Sequence, residues 1–231
     1  MNENLRTKAI KHEERMAIEY GNGDLNRARH LLAPLKHLDV EKVWRTVLEG
    51  ALMELRDGNT RITRSILNWL ISEISWYGPL YLEAFKLERD NDNPRQALKI
   101  VDKGLKEIPR YGPLWFGAFR ICEGIDMENG DLHLPRTFSY IDRAVKSISR
   151  ELIWKVYQEG AQSLERAAHS AVKLDKTLSL NDLLTRTRLL FAKTILACPE
   201  NLCWKVWLAA GRMELSAGRF ADARKLFLKS F

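Results

Sequence analysis

Five histidines, three cysteines and thirty acidic residues are the groups on which this 231-residue chain could build chemistry. The histidines (His12, His30, His37, His133 and His169) are scattered. No H-E-x-x-H pair sets two imidazoles one turn apart, as a zinc hydrolase helix requires. Cys198 and Cys203 are the only close thiol pair, and no histidine stands near to complete a four-ligand metal set. An odd cysteine count fits a reducing compartment, with each thiol acting as a small buried hydrophobe. No glycine-rich phosphate loop opens a helix, and no G-x-S-x-G elbow is present. The carboxylates fall mostly at repeating or solvent-facing positions. The chain therefore reads as a non-enzyme with no metal and no cofactor.

The cations are better organised. Lys and Arg number 37 against 30 Asp and Glu, a net charge of +7, with an isoelectric point near 9.3. Such a balance favours a polyanionic partner. Arg95, Lys99, Lys103, Lys106 and Arg110 fall within an arc of roughly 80° on a helix of 100° per residue. Ala97, Leu98, Ile100, Val101, Leu105 and Ile108 lie opposite. Arg136, Arg143, Lys146 and Arg150 repeat the arrangement farther along. These nine residues are the candidate RNA contacts. A charged stripe opposite an apolar one is also what any solvated helix presents. No aromatics interleave with the stripe, which argues against a base-stacking platform and makes core packing the expected role of the seven tryptophans.

The elements that must carry these stripes are announced by a stretch that occurs twice. Tyr77-Gly78-Pro79-Leu80-Tyr81-Leu82-Glu83-Ala84-Phe85-Lys86-Leu87 returns after 34 residues as Tyr111-Gly112-Pro113-Leu114-Trp115-Phe116-Gly117-Ala118-Phe119-Arg120-Ile121, with six of eleven positions identical. A fixed period of about 20–50 residues marks a repeat architecture. Gly78 and Gly112 are expected to stop an incoming helix in the left-handed conformation that glycine tolerates. Pro79 and Pro113 then open the next helix, where no amide donor is needed. Leu80, Ala84 and Leu87, like Leu114, Ala118 and Ile121, recur at helical spacing.

The period extends both ways. With Tyr81 and Trp115 as slot zero, His12 and Val47 precede them at spacings of 35 and 34. Slot seven then holds Glu19, Glu54, Glu88 and, from Trp207, Glu214. Slot eleven holds Gly23, Gly58, Asp92 and Gly218, which break helix A. A small residue at slot sixteen (Ala28, Thr63, Ala97, Ala223) lets helix B approach helix A. The slot-seven glutamate could pair with the slot-seventeen arginine on helix B (Arg29, Arg64, Arg224) or cap backbone donors. A partly exposed pair would contribute about 0–1 kcal/mol and act mainly on register.

After residue 122 the register loosens. The fourth helix A ends near Asn129-Gly130, and its helix B begins after Leu134-Pro135. Trp154-Lys155-Val156-Tyr157 resembles Trp204-Lys205-Val206-Trp207, and Trp44 holds the matching place before Val47. The fifth repeat has gained turns, with Ser179 or Asn181 opening a helix that runs to about Ala197 before Pro199.

An aromatic early in helix A, a later glutamate, an Ala-Arg in helix B and a proline near the end resemble the half-a-TPR (HAT) repeat. The matching residues are Trp44, Tyr81, Trp115, Trp154, Trp204 and Trp207; Glu19, Glu54, Glu88 and Glu214; Ala28-Arg29 and Ala223-Arg224; and Pro109 and Pro199. Cys122 in place of the acid, the loss of Ala-Arg in the fourth and fifth repeats, and the long fifth repeat depart from it. The resemblance implies a scaffold holding protein partners in an RNA-processing complex, of the crooked-neck or suppressor-of-forked type, with a nuclear location or, alternatively, an organellar one. It also makes homodimerisation an open alternative. A direct RNA-binding module and a TPR-like adaptor unconnected with RNA are the other readings.

The expected fold is all-α: a right-handed α-α superhelix, or solenoid, of about six antiparallel helix pairs. It forms a single array over 1–231, with repeats starting near residues 5, 41, 78, 112, 150 and 200. No apolar run reaches the ~20 residues of a membrane span. Met1 to Tyr20 is charged and helical in pattern and resembles neither a signal nor a transit peptide, so the chain reads as intracellular. The last helix, from Ala221, ends on Leu226, Phe227, Leu228 and Phe231 with no polar cap, which suggests a longer array or closure by association.

Overall fold

The structure is a computed structural model that describes residues 25–174 and 177–230. All its regular elements there are helical, and no strand occurs among the described residues. The chain is an all-α helical repeat of the solenoid class. Its contacts group into two compact units, Met1–Ile108 and Pro109–Phe231.

In the first unit, α1 (Leu25–Leu32) and a 3-10 turn (Ala33–His37) lead into two hairpins. These are α2 (Val40–Arg56) with α3 (Thr60–Glu73), and α4 (Gly78–Asp90) with α5 (Pro94–Glu107). Leu67, Leu70, Ile74, Leu80, Tyr81, Phe85 and Leu87 are almost fully buried. Burying each such side chain stabilises by roughly 1.5–3 kcal/mol. The slots in the first repeat's helix A, His12, Glu19 and Gly23, lie outside the described residues, as does the stretch from Met1 to Tyr20.

In the second unit the hairpins are α6 (Gly112–Glu128) with α7 (Pro135–Ser147), α8 (Ile153–Lys173) with α9 (Thr177–Ala197), and α10 (Cys203–Ser216) with α11 (Phe220–Leu228). Short 3-10 turns, Arg150–Leu152 and Glu200–Leu202, precede α8 and α10. One core runs through Leu132, Leu134, Trp154, Leu164, Leu183 and Phe191.

One turn recurs within the hairpins. Asn59, Asn93, Asp131 and Arg219 each donate a backbone N–H to the carbonyl five residues earlier, at 2.8–2.9 Å. This is the Schellman closure, which needs a left-handed residue just after the helix. Gly58 (φ 85°), Asp92 (φ 53°), Gly130 (φ 76°) and Gly218 (φ 73°) supply it. Slot eleven therefore breaks helix A as expected, through its backbone angle.

Gly78 and Gly112 differ from expectation. Neither has a positive φ; each is the first residue of a helix, with proline beside it. The incoming α3 already ends at Glu73, and Tyr77 provides the extended residue before α4. At Gly112 a Cβ would meet the Leu152 side chain at 3.4 Å, close to ordinary van der Waals contact, so space does not demand glycine there either.

Tyr81 is fully buried, and its hydroxyl has no hydrogen-bond partner among the described residues. Burial pushes the phenol above its ordinary range, with the Glu107 charge adding to the effect. Removing an unsatisfied buried polar atom recovers its desolvation cost. Tyr81→Phe is therefore expected to raise stability by about 1 kcal/mol, seen as a higher urea midpoint.

Candidate interaction faces

Among the described residues the slot-seven glutamates, Glu54, Glu88 and Glu214, are buried, and each is held by an arginine from the preceding repeat. Arg29 of α1 forks onto both oxygens of Glu54 in α2. Arg64 of α3 donates to Glu88 of α4 at 2.5 and 3.3 Å. Arg188 of α9 donates to Glu214 of α10 at 2.6 and 2.8 Å. The partners are the slot-seven and slot-seventeen residues that the spacing pairs, but they join successive hairpins. Nor is the pair a surface one, because the glutamate side chains are only 4–7% exposed. Asn59 and Asn93, which close the turn, also donate to Glu54 and Glu88. One carboxylate thus ties helix, turn and neighbouring repeat together.

Arg188 corrects the expectation that the fifth repeat lacks its arginine. It follows buried Thr187 as Arg64 follows buried Thr63. The signal in the sequence is a small residue of any kind before arginine, Thr187-Arg188 like Thr63-Arg64, rather than Ala-Arg alone. Position 122 is also less of a departure than it looked. Neighbouring Glu123 is buried and takes bonds from Arg166 at 2.5 and 2.7 Å and from Ser163 at 2.8 Å. Asp126, one turn later, closes the hairpin by accepting from Thr137 N and Oγ1, both at 2.9 Å. Glu165, the late acid of the fifth repeat, makes no such link among the described residues, and burial pushes its carboxyl up.

These links fix a pH dependence. The Arg29 hydrogen bond holds the Glu54 carboxyl below its ordinary range against the opposing effect of burial, with help from Asn59. Burial pushes Glu123 up, but the bonds from Arg166 and Ser163 outweigh it and the net shift is down. A carboxyl depressed in the folded state adds stability above its unfolded value, about 4.3. That stability is lost as pH falls through the folded value, at up to ~1.4 kcal/mol per pH unit per group. Urea midpoints are expected to drop steadily below pH 4, and Arg166→Ala is expected to flatten that slope.

Seven of the nine candidate cations lie on the helices that the periodicity gave them; Arg110 falls beyond α5, which ends at Glu107, and Arg150 opens the 3-10 turn after α7, which ends at Ser147. On α5, Arg95, Lys99, Lys103 and Lys106 are exposed, opposite buried Ala97, Leu98, Ile100, Val101 and Leu105. Arg110, also exposed, belongs to the second compact unit. There Lys146 and Arg150 are exposed too. Arg136 stands 3.9 Å from Asp126. Arg143 lies over the Trp115 and Tyr140 rings, at 5.6 and 4.7 Å. Those two are tied into the hairpin more than the others.

The aromatics divide. Trp44, Trp115 and Trp154 are buried, as expected of core anchors, whereas Trp69, Trp76 and Trp204 are 45%, 65% and 47% exposed. Their exposure overturns the core assignment for those three. Between α9, α10 and α11 lies an apolar cleft of about 390 Å³, walled by Phe191, Ile195, Leu196, Trp207 and Leu226. Leu196 stands 88% exposed at its edge. No cluster of metal-binding side chains occurs among the described residues. Burial, reinforced by Cys203, pushes the Cys198 thiol up to about 11, which makes it a poor nucleophile at neutral pH.

Residues 1–231 match the family described as PRP6, TPR-like domain. The chain belongs to that family. A TPR-containing protein of Dictyostelium discoideum is 41% identical over 201 residues, covering 87% of this PRP6-type chain and 14% of the relative. The chain thus spans about one-seventh of that relative's length. Among solved structures, a tetratricopeptide repeat protein from Parabacteroides merdae is similar at 12% identity, with a TM-score of 0.48 over 97% of this chain and 92% of that one. BtubC from P. vanneervenii is similar at 13% identity and a TM-score of 0.47, over 99% and 90%. PRP6-type TPR-like repeats are helix hairpins that present surfaces to other proteins, and no described helix here is long and apolar enough to cross a membrane.

Proposed function

We propose that this chain is a protein-interaction scaffold of the HAT type, working in an RNA-processing complex and specifically in splicing. Membership of the PRP6 family over the whole chain carries the reading, because PRP6 is a splicing factor. The apolar cleft between α9, α10 and α11 supports a protein as the ligand, since it offers wall area and few polar groups. The domain is a single repeat array over 1–231, and the location is nuclear. Affinity purification of the tagged chain from nuclear extract, followed by mass spectrometry, tests this. Spliceosomal proteins retained after ribonuclease and high-salt washing are the expected result. Their absence overturns the splicing assignment.

The exposed cations of α5 favour a second reading, direct contact with RNA. Under it, affinity for a single-stranded oligoribonucleotide falls steeply with salt, because bound counterions are released. Lys99→Glu with Lys103→Glu is then expected to weaken binding and to flatten the plot of log affinity against log salt by about 1.4. Fluorescence anisotropy across a salt series measures both. Unchanged affinity in the double variant removes α5 from any RNA role.

A further inference from the structure

Helices α3 and α5 bury the same positions 34 residues apart. Thr63, Leu67, Leu70 and Ile71 of α3 answer Ala97, Val101, Gly104 and Leu105 of α5, and all eight are buried. Their outward positions are therefore in register too. Ser65, Trp69 and Ser72 on α3 stand where Lys99, Lys103 and Lys106 stand on α5, and all six are exposed. One carboxylate brings the beginnings of the two helices together. Glu88 Oε2 accepts from Arg64 of α3 and from Asn93, the residue before α5, both at 3.3 Å.

The resulting face is aromatic on one helix and cationic on the next. Trp69 is 45% exposed, and Trp76, in the turn after α3, is 65% exposed. Trp44 at 6.1 Å and Tyr77 at 5.8 Å hold the Trp76 ring edge-on, so it is fixed while much of it stays open. The outward side of α5 carries Arg95, Lys99, Lys103 and Lys106 and no exposed large hydrophobic residue. Across the two helices Arg61, Arg64 and these four cations stand against Glu73, Asp102 and Glu107. The face lies inside the array, with α1 and α2 before it and α4 between its two helices. The expectation that no aromatic accompanies the basic stripe holds within α5 and fails across the face, because the indoles come from the neighbouring hairpin.

We infer that the α3–α5 face binds single-stranded RNA, with bases stacking on Trp69 and Trp76 and phosphates held by Lys99, Lys103 and Lys106. This deepens the second reading above and rests on it. Every unpaired base offers a π-face to an indole, and a row of cations tracks the backbone without reading sequence. Lysines at 99, 103 and 106 recur about once per helical turn, as a backbone laid along α5 requires. An acidic amphipathic protein helix would instead need an aliphatic stripe to bury. The face offers it Ile62 and two indoles on one side and nothing apolar on α5.

The probe is a fluorescein-labelled single-stranded RNA of about 12 nucleotides and mixed sequence, titrated with the full chain by anisotropy over a salt series. Trp69→Ala is expected to weaken binding about ten-fold, equivalent to about 1.4 kcal/mol. The slope against salt should stay unchanged, because a stacking contact releases no counterion. Trp76→Leu, which keeps apolar cover on Trp44, should add a further loss. The same RNA annealed to its complement should be indifferent to Trp69→Ala, since its bases are already stacked and paired. Trp69 is exposed, so its variant is expected to keep the parental circular dichroism and urea midpoint. If both tryptophan variants bind as the parent does while Lys99→Glu with Lys103→Glu binds weakly, the stacking site is overturned and the cation reading stands. If the RNA binds at no salt concentration, both fall. If the RNA fails and a peptide of alternating Glu and Leu binds in a Trp69-dependent way, the face receives an acidic protein segment, which equally overturns the inference.

Discussion

Arg64→Ala is expected to lower stability by roughly 3 kcal/mol, out of proportion to a side chain that is itself 38% exposed. The cost arises on the other partner. Glu88 is 4% exposed in its side chain, and without the guanidinium its carboxylate keeps, among the described residues, Asn93 alone at 3.3 Å. An ionised group left buried with one weak donor costs more than the pair contributes when intact. Removing both charges, as Arg64→Met with Glu88→Leu, is therefore expected to recover most of the loss. A double-mutant cycle of urea midpoints separates the two cases. If Arg64→Ala costs under ~0.5 kcal/mol, the pair behaves as a surface one and does not hold the hairpins together.

Trp115→Ala is expected to cost about 3–5 kcal/mol, the range for truncating a buried large aromatic. Trp115 is 2% exposed, and its indole N–H donates to the Pro109 carbonyl at 2.9 Å. That bond ties the first turn of α6 to the segment preceding it. The ring also meets Tyr140 edge-on at 6.5 Å and lies beneath Arg143, so α6 and α7 lose a shared contact together. Trp115→Phe keeps much of the apolar volume and loses the hydrogen bond, and should cost markedly less. Equal losses in the two variants would place the whole effect in the hydrogen bond.

Hairpin boundaries were legible in the chain because proline and positive-φ residues act locally. Pro79, Pro113 and Pro135 mark helix starts, and Gly58, Gly130 and Gly218 mark helix stops, whatever packs on them. The alternation of buried and exposed positions along α5 was legible for the same reason. The glutamate's partner was not. A period says that slots seven and seventeen recur, but not whether they meet inside a hairpin or across to the next one. Gly78 and Gly112 misled because glycine beside proline reads as a helix stop, whereas α3 has already ended at Glu73 and each glycine is the first residue of the helix that follows. Asp126 was missed because the longer α6 moves its closing acid one turn on. The exposure of Trp204 could not be read from its own hairpin, because the cover at Trp44 comes from residues of the hairpin that follows.

The links between hairpins also govern how such a chain can change length. Arg29 and Glu54 stand 25 residues apart, and Arg64 and Glu88 stand 24 apart. Excising residues 31–64, one period of 34, takes Glu54 and Arg64 away together and leaves Arg29 a near-native 25 residues ahead of Glu88. A half-period cut strands a carboxylate in an apolar interior. In this part of the array a whole period of 34 can therefore be added or deleted without leaving an orphaned charge, because each buried acid keeps an arginine at nearly its native spacing.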